Sequence, residues 1–282
     1  MITPREKEAL RDFISIAKGN NIPSVLVGAS ARLIAFDLKY NIPSSRTTKD
    51  WDMAIQVDWE LYEILKYALT KGEQPLFSED DQQEHSFTHA NGVRFDIIPF
   101  GEVEQDNGTI VWPSTEQKMT MLGFREVMQS AQQLSIDSDL EIPVATAPGL
   151  VILKIFAFND RRKDDDLRDL YFILDNYDRA DNENRIFEEL SESLSSGELD
   201  YESAKAFLLG KDVGRLISPK THEILVNILE EMQLTNPYSP NLALLLTRLG
   251  DQREEERQRV NMAKLFEAFL GGMTKEVYNK KD

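Results

Sequence analysis

Cysteine is absent from the 282 residues and histidine is scarce, at three. The missing cysteine excludes disulfides, thiolate metal sites and a cysteine nucleophile. His85 and His89 are separated by strand-like Phe87-Thr88, without the His-Glu-x-x-His pattern, and both read as bystanders. No apolar run is long enough to span a bilayer, and the N-terminus lacks the basic-then-apolar pattern of a signal segment. No membrane partner is expected, and a cytoplasmic location is the default. Basic residues are also few, 32 against 49 acidic, for a net charge of −17. That excess argues against a broad phosphate-backbone footprint. Lys7, Arg11, Lys18, Arg32, Lys39, Arg46 and Lys49 make the N-terminal part less acidic; they read either as a local nucleic-acid patch or, more commonly, as scattered solvated charges.

What is present centres on Arg46-Thr47-Thr48-Lys49-Asp50-Trp51-Asp52-Met53-Ala54-Ile55. As a β-strand this stretch puts Asp50 and Asp52 on one face and Trp51 and Met53 on the other. Two carboxylates so placed repel each other unless a divalent cation is shared between them. Asp-x-Asp alone is common in turns, so its neighbours matter. Upstream, Val25-Leu26-Val27 runs into Gly28-Ala29-Ser30-Ala31-Arg32, a strand entering a helix through small residues. The first N–H groups of such a helix lack intrahelical partners and suit an anion. An ordinary turn with a serine cap explains Gly28 and Ser30 equally well. Downstream, Val93-Arg94-Phe95-Asp96-Ile97-Ile98-Pro99 sets one acid in an apolar run, which is costly unless something pairs with it.

The ordered set of Gly28-Ala29-Ser30-Ala31-Arg32, Arg46-Thr47-x-x-Asp50-x-Asp52, Asp96-Ile97-Ile98-Pro99-Phe100-Gly101 and the later Lys154 resembles the DNA polymerase β-like nucleotidyltransferases. More narrowly it resembles the AbiEii-type group, which includes toxins of type IV toxin–antitoxin and phage-abortive systems. Ala29 stands where such proteins usually carry glycine or serine. The resemblance implies an α+β fold: a mixed nucleotidyltransferase sheet with flanking helices, followed by an α-helical domain. It implies a metal-dependent transfer of a nucleoside monophosphate from an NTP to a hydroxyl acceptor, with release of pyrophosphate. Asp50, Asp52 and Asp96 would be catalytic and would bind Mg²⁺ or Mn²⁺, converging on a pair of ions. Gly28, Ala29, Ser30, Arg32, Arg46 and Lys154 would contact the nucleotide. Asp166 and Asp169 would lie near the active site as supporting residues, although a solvated acidic run explains them as well. Arg46 has an ordinary ion pair as its alternative, and Lys154 a solvated position beside an apolar stripe. The implied partners are an NTP, an acceptor of open identity (RNA such as tRNA, protein or a small molecule) and an antitoxin protein. The competing readings are a small-molecule, antibiotic-type nucleotidyltransferase and a catalytically silent nucleotide-binding module.

Along the chain, apolar spacing predicts a helix over residues 4–18 behind a Thr3-Pro4 cap, a strand over 24–27, and a helix from Gly28. A further helix over 58–71 is expected to bury Leu61, Ile64, Leu65, Ala68 and Leu69. Residues 78–85 read as a loop or edge strand. Asp106-Asn107-Gly108 signals a turn that sends the chain back through residues 109–112, a short strand is expected around Gly123-Phe124, and another strand over 140–147. A catalytic domain over residues 1–145 then gives way to a helical one over 146–282, contributing Lys154 to the site. Helices are predicted over 185–195, 200–210, 219–233, 240–249 and 252–270, with Gly210 as a break and Gly271-Gly272 closing the last.

Overall fold

A computed structural model describes residues 2–43, 50–246 and 251–279, the final three by backbone alone. The chain divides into two compact units, Met1–Thr146 and Ala147–Asp282. In the first, α1 (Pro4–Gly19) opens with a complete capping box between Thr3 and Glu6. It buries Leu10, Phe13, Ile14 and Ala17, the spaced positions that predicted it. Strand β1 (Ser24–Val27) follows, then α2 (Gly28–Arg32), which continues as a π-helical segment over Leu33–Leu38. Strand β2 (Asp50–Gln56) leads to α3 (Trp59–Thr70), capped by the Asp58 carboxylate on the Leu61 amide. The buried face of α3 is Tyr62, Leu65 and Leu69, while Ile64 is 45 % exposed. The helix is therefore turned from the expected face, because Tyr62 and Trp59 build an aromatic cluster with Trp112.

Strands β3 (Phe77–Glu79), β4 (Ser86–His89) and β5 (Arg94–Phe100) form an antiparallel edge. The Asp106-Asn107-Gly108 turn does not fold the chain back on β5. Strand β6 (Thr109–Val111) instead pairs with β7 (Lys118–Thr120) in a separate two-stranded sheet. The strand expected around Gly123-Phe124 is the helix α4 (Phe124–Ser130), with Gly123 at its N-cap. Strands β8 (Gln132–Asp137), which the sequence reading missed, and β9 (Leu140–Val144) complete the seven-stranded mixed sheet, ordered β3-β4-β5-β2-β1-β9-β8. One layer of core lies between α1 and this sheet, where Phe13 stacks on Phe95 at 5.6 Å.

The second unit is helical among its described residues: α5 (Ala147–Arg161), α6 (Asp164–Asp175), α7 (Glu183–Glu189), α8 (Ser191–Ser195), α9 (Tyr201–Leu216), α10 (Pro219–Met232), α11 (Pro240–Ala243) and α12 (Gln252–Asn279). Gly210 does not end α9, and Gly271-Gly272 does not end α12. A Cβ on Gly210 would overlap the Phe269 carbonyl, and one on Gly272 the Phe207 carbonyl. These glycines let two helix backbones touch, and the packing gained there offsets their poor helix propensity.

Candidate active site

The sheet of the first unit places the acids by register. Strand β2 alternates as expected, with Asp50 and Asp52 half-buried and Trp51 and Met53 at 1 % and 0 % exposure. It runs parallel to β5, with Asp50 opposite Arg94 and Asp52 opposite Asp96. Asp96 is in turn opposite Ser86 on β4, and Asp52 opposite Val27 on β1. One row of paired positions thus crosses the sheet as Ser86, Asp96, Asp52 and Val27. Paired positions on neighbouring strands present their side chains to the same face, and the strands lie about 4.8 Å apart. Asp50, Asp52 and Asp96 therefore share a face.

The turn after Val27 stands against this row. Gly28 has φ +68°, in the left-handed region, and a Cβ there would overlap the Asp52 carboxylate. Glycine is required on both counts. Ser30 is fully buried; its hydroxyl donates to the Val27 carbonyl at 3.1 Å and accepts from the Asp52 backbone N–H at 3.4 Å. The hydroxyl expected to serve an anion thus ties the turn to the acid-bearing strand. Ala29 is half-buried between them. Arg32 is 1 % exposed, with Nη1 3.8 Å from Asp37 Oδ1, so its guanidinium lies inside the fold. Arg46 lies outside the described residues.

The three carboxylates share a face but not a focus. Asp50 Oδ1 lies 3.4 Å from Arg94 Nε, and Asp96 Oδ1 accepts the Ser86 hydroxyl. Among the described residues no group of three or more histidine, aspartate or glutamate side chains is gathered as a metal site. The donor chemistry nevertheless fits a hard divalent ion. Asp50, Asp52 and Asp96 offer carboxylate oxygens, the ligands Mg²⁺ and Mn²⁺ prefer, and the bare α-carbon of Gly28 keeps the flank of Asp52 clear.

Two residues of this face escaped the sequence reading. Arg94 stands two places before Asp96 on one strand, so alternation alone would have put it beside the acids. Ser86 needed the hairpin register, which Asn91-Gly92 signals: the pairs Ser86–Asp96, Phe87–Phe95 and Thr88–Arg94 are equidistant from Asn91. His85 and His89, read as bystanders, both pack within the first unit. His89 is 4 % exposed with Nε2 3.1 Å from Asp12 Oδ2, and His85 packs on Trp112.

In the second unit, Lys154 is not solvated and neither are Asp166 and Asp169, which are 1 % and 2 % exposed. Lys154 Nζ lies 3.0 Å from Asp166 Oδ1 and 2.7 Å from Asp169 Oδ2, and Arg161 grips Asp166 through two contacts of 2.6 Å. Burial pushes the Asp166 carboxyl up, but the hydrogen bonds and charges of Arg161 and Lys154 outweigh it and hold the group below its ordinary value.

Distant likenesses to solved structures include an antigenic nucleotidyltransferase-like protein from Paracoccidioides brasiliensis, at 16 % identity and a TM-score of 0.40, covering 67 % of this chain and 90 % of that one. The antibiotic-resistance factor ANT(2'')-Ia matches at 9 % identity and 0.40, covering 70 % and 98 %. JHP933 from Helicobacter pylori matches at 14 % and 0.35, over 100 % of both chains. A search of curated proteins gave no significant match. Among the described residues no helix is long and apolar enough to cross a membrane. The family model described as nucleotidyl transferase AbiEii toxin, type IV TA system, matches residues 24–275, which is most of the molecule. The chain therefore belongs to the AbiEii nucleotidyltransferase family.

Proposed function

We propose that this nucleotidyltransferase moves a nucleoside monophosphate from an NTP to a hydroxyl acceptor, releasing pyrophosphate, and that it is the toxin of a type IV pair countered by an antitoxin protein. The observation that carries the reading is the carboxylate face: Asp52 and Asp96 paired across β2 and β5, with Asp50 two residues away on the same side. In this reading Asp50, Asp52 and Asp96 are the ligands of Mg²⁺ or Mn²⁺. A bound divalent ion would lower the pKa of the attacking hydroxyl and offset charge on the departing pyrophosphate. Asp50, 35 % exposed beside Arg94, would offer its carboxylate to the cation from the open side of the face. Gly28, Ala29 and Ser30 shape the backbone against which the nucleotide phosphates lie. Arg32 supports that backbone from within. Arg46 and Lys154 enter as phosphate contacts by family resemblance.

The net charge of −17 favours an acceptor that needs no broad basic surface, such as a tRNA end, a protein or a small molecule. The test is incubation of the full chain with each α-labelled NTP, Mg²⁺ and, separately, total tRNA, cell protein and an aminoglycoside panel. Label should enter one fraction with wild-type protein and none with Asp52→Ala. Equal labelling by the two proteins would refute the assignment.

A further inference from the structure

We infer that Ser86 is a positioning residue for the third carboxylate: its hydroxyl holds Asp96 Oδ1 on the β4 side and leaves Oδ2 to face Asp52 and the cation. The inference deepens the proposed function and rests on that reading of Asp96. Ser86 is 2 % exposed and sits opposite Asp96 in the β4–β5 ladder, while Asp52 sits opposite Asp96 on the other flank. The three positions stand in one line across three strands, so an oxygen fixed toward β4 is an oxygen withheld from β2. Ser86 Oγ contacts Asp96 Oδ1 at 2.5 Å and the Gln83 side-chain amide at 3.0 Å. A hydroxyl has one proton, and an ionised carboxylate outcompetes an amide oxygen for it. The Asp96 side chain has two rotatable bonds, and without the hydroxyl its carboxylate would sample orientations that present no oxygen to a shared ion. A hydrogen-bonded neighbour that orients a metal-binding carboxylate typically changes metal affinity or turnover by roughly ten- to a hundredfold.

The inference is tested by Mn²⁺ titration, followed by electron paramagnetic resonance, of the full chain with a non-hydrolysable NTP analogue, using wild type, Ser86→Ala, Ser86→Thr and Asp96→Asn. Ser86→Ala removes one oxygen and should fold, which thermal unfolding checks. Its Mn²⁺ affinity should fall roughly tenfold, with Ser86→Thr close to wild type because the hydroxyl is retained. Asp96→Asn should lose at least as much. If Asp96→Asn weakens binding and Ser86→Ala does not, the inference fails while the metal site stands. Equal losses in Ser86→Ala and Ser86→Thr would assign the effect to strand packing and also overturn it. Wild-type affinity in Asp96→Asn would remove the metal reading, and this inference with it.

Discussion

The two units use aspartate in opposite ways. On the sheet face Asp50, Asp52 and Asp96 are half-buried; Asp50 has beside it an arginine that is itself 47 % exposed, and Asp96 takes a neutral hydroxyl. In the helical unit Asp166, Asp169 and Asp212 are 1 %, 2 % and 8 % exposed, and each is paired with a cation of the same unit. Lys154 and Arg161 serve the first pair. Arg185 makes two contacts of 2.8 Å to Asp212, joined by Arg215 at 2.9 Å and the Tyr177 hydroxyl. A fully buried carboxylate without a cation costs several kcal/mol, so the fold supplies one permanently. A half-exposed carboxylate is affordable with exchangeable partners and stays open to an outside ion. The difference separates aspartates enclosed with cations in the helical unit from aspartates left accessible on the sheet face, where the proposed metal site lies.

The comparison breaks first at Lys154. Lys154→Met takes the ammonium away from buried Asp166 and Asp169, and should destabilise the helical unit by about 3–5 kcal/mol in urea unfolding. Asp52→Asn, matched for charge loss, should stay within about 0.5 kcal/mol of wild type while losing transfer. A stable but inactive Lys154→Met would instead make this ammonium a nucleotide ligand before a structural one.

Backbone contact is the next lever. Gly210→Ala should cost about 1–3 kcal/mol by forcing α9 from α12, read in the same unfolding curve. Gly28→Ala should move Asp52 and abolish transfer, at about 1–3 kcal/mol of strain from the left-handed φ. Retained transfer in that variant would separate the turn from the acid row.

Acid titration sharpens the contrast by a smaller effect. Burial pushes the Glu189 carboxyl up, but hydrogen bonds from Lys211, Arg185 and Arg215 outweigh it and hold the group to about 2. Asp166 is likewise held low. A carboxyl whose pKa is depressed in the folded state binds more protons when unfolded, so its stabilisation is complete above about pH 4 and is lost as pH falls toward 2. The three tryptophans, Trp51, Trp59 and Trp112, all lie in the first unit. Helical circular dichroism should therefore decline over that range before tryptophan fluorescence changes, and Glu189→Gln should flatten the slope. Coincident transitions would show that the ion network does not set the acid limit of the second unit.

Local pattern made most elements legible. The capping box of α1, the alternation of β2 and the proline-started α10 all depend on neighbours within a few residues. Failures came where distant contacts overrode local signals. Gly210 and Gly272 read as breaks until each was seen to face the other helix. The turn at Asp106-Asn107-Gly108 was recognised, but its strand chose β7 over β5. Asp166 and Asp169 could be read either as supporting residues of the site or as a solvated run, because nothing in a string of charges tells which side chains lie under Lys154.

By itself the sequence determined that Asp50 and Asp52 share a face, because side-chain alternation is a property of any strand. It also excluded thiolate ligands and a cysteine nucleophile, because no cysteine exists to supply them. Only tertiary structure decided that Asp96 stands opposite Asp52, that Ser86 flanks it, and that Lys154 is buried among acids. Strand register and burial arise from packing between segments far apart in the chain, and no local pattern contains them.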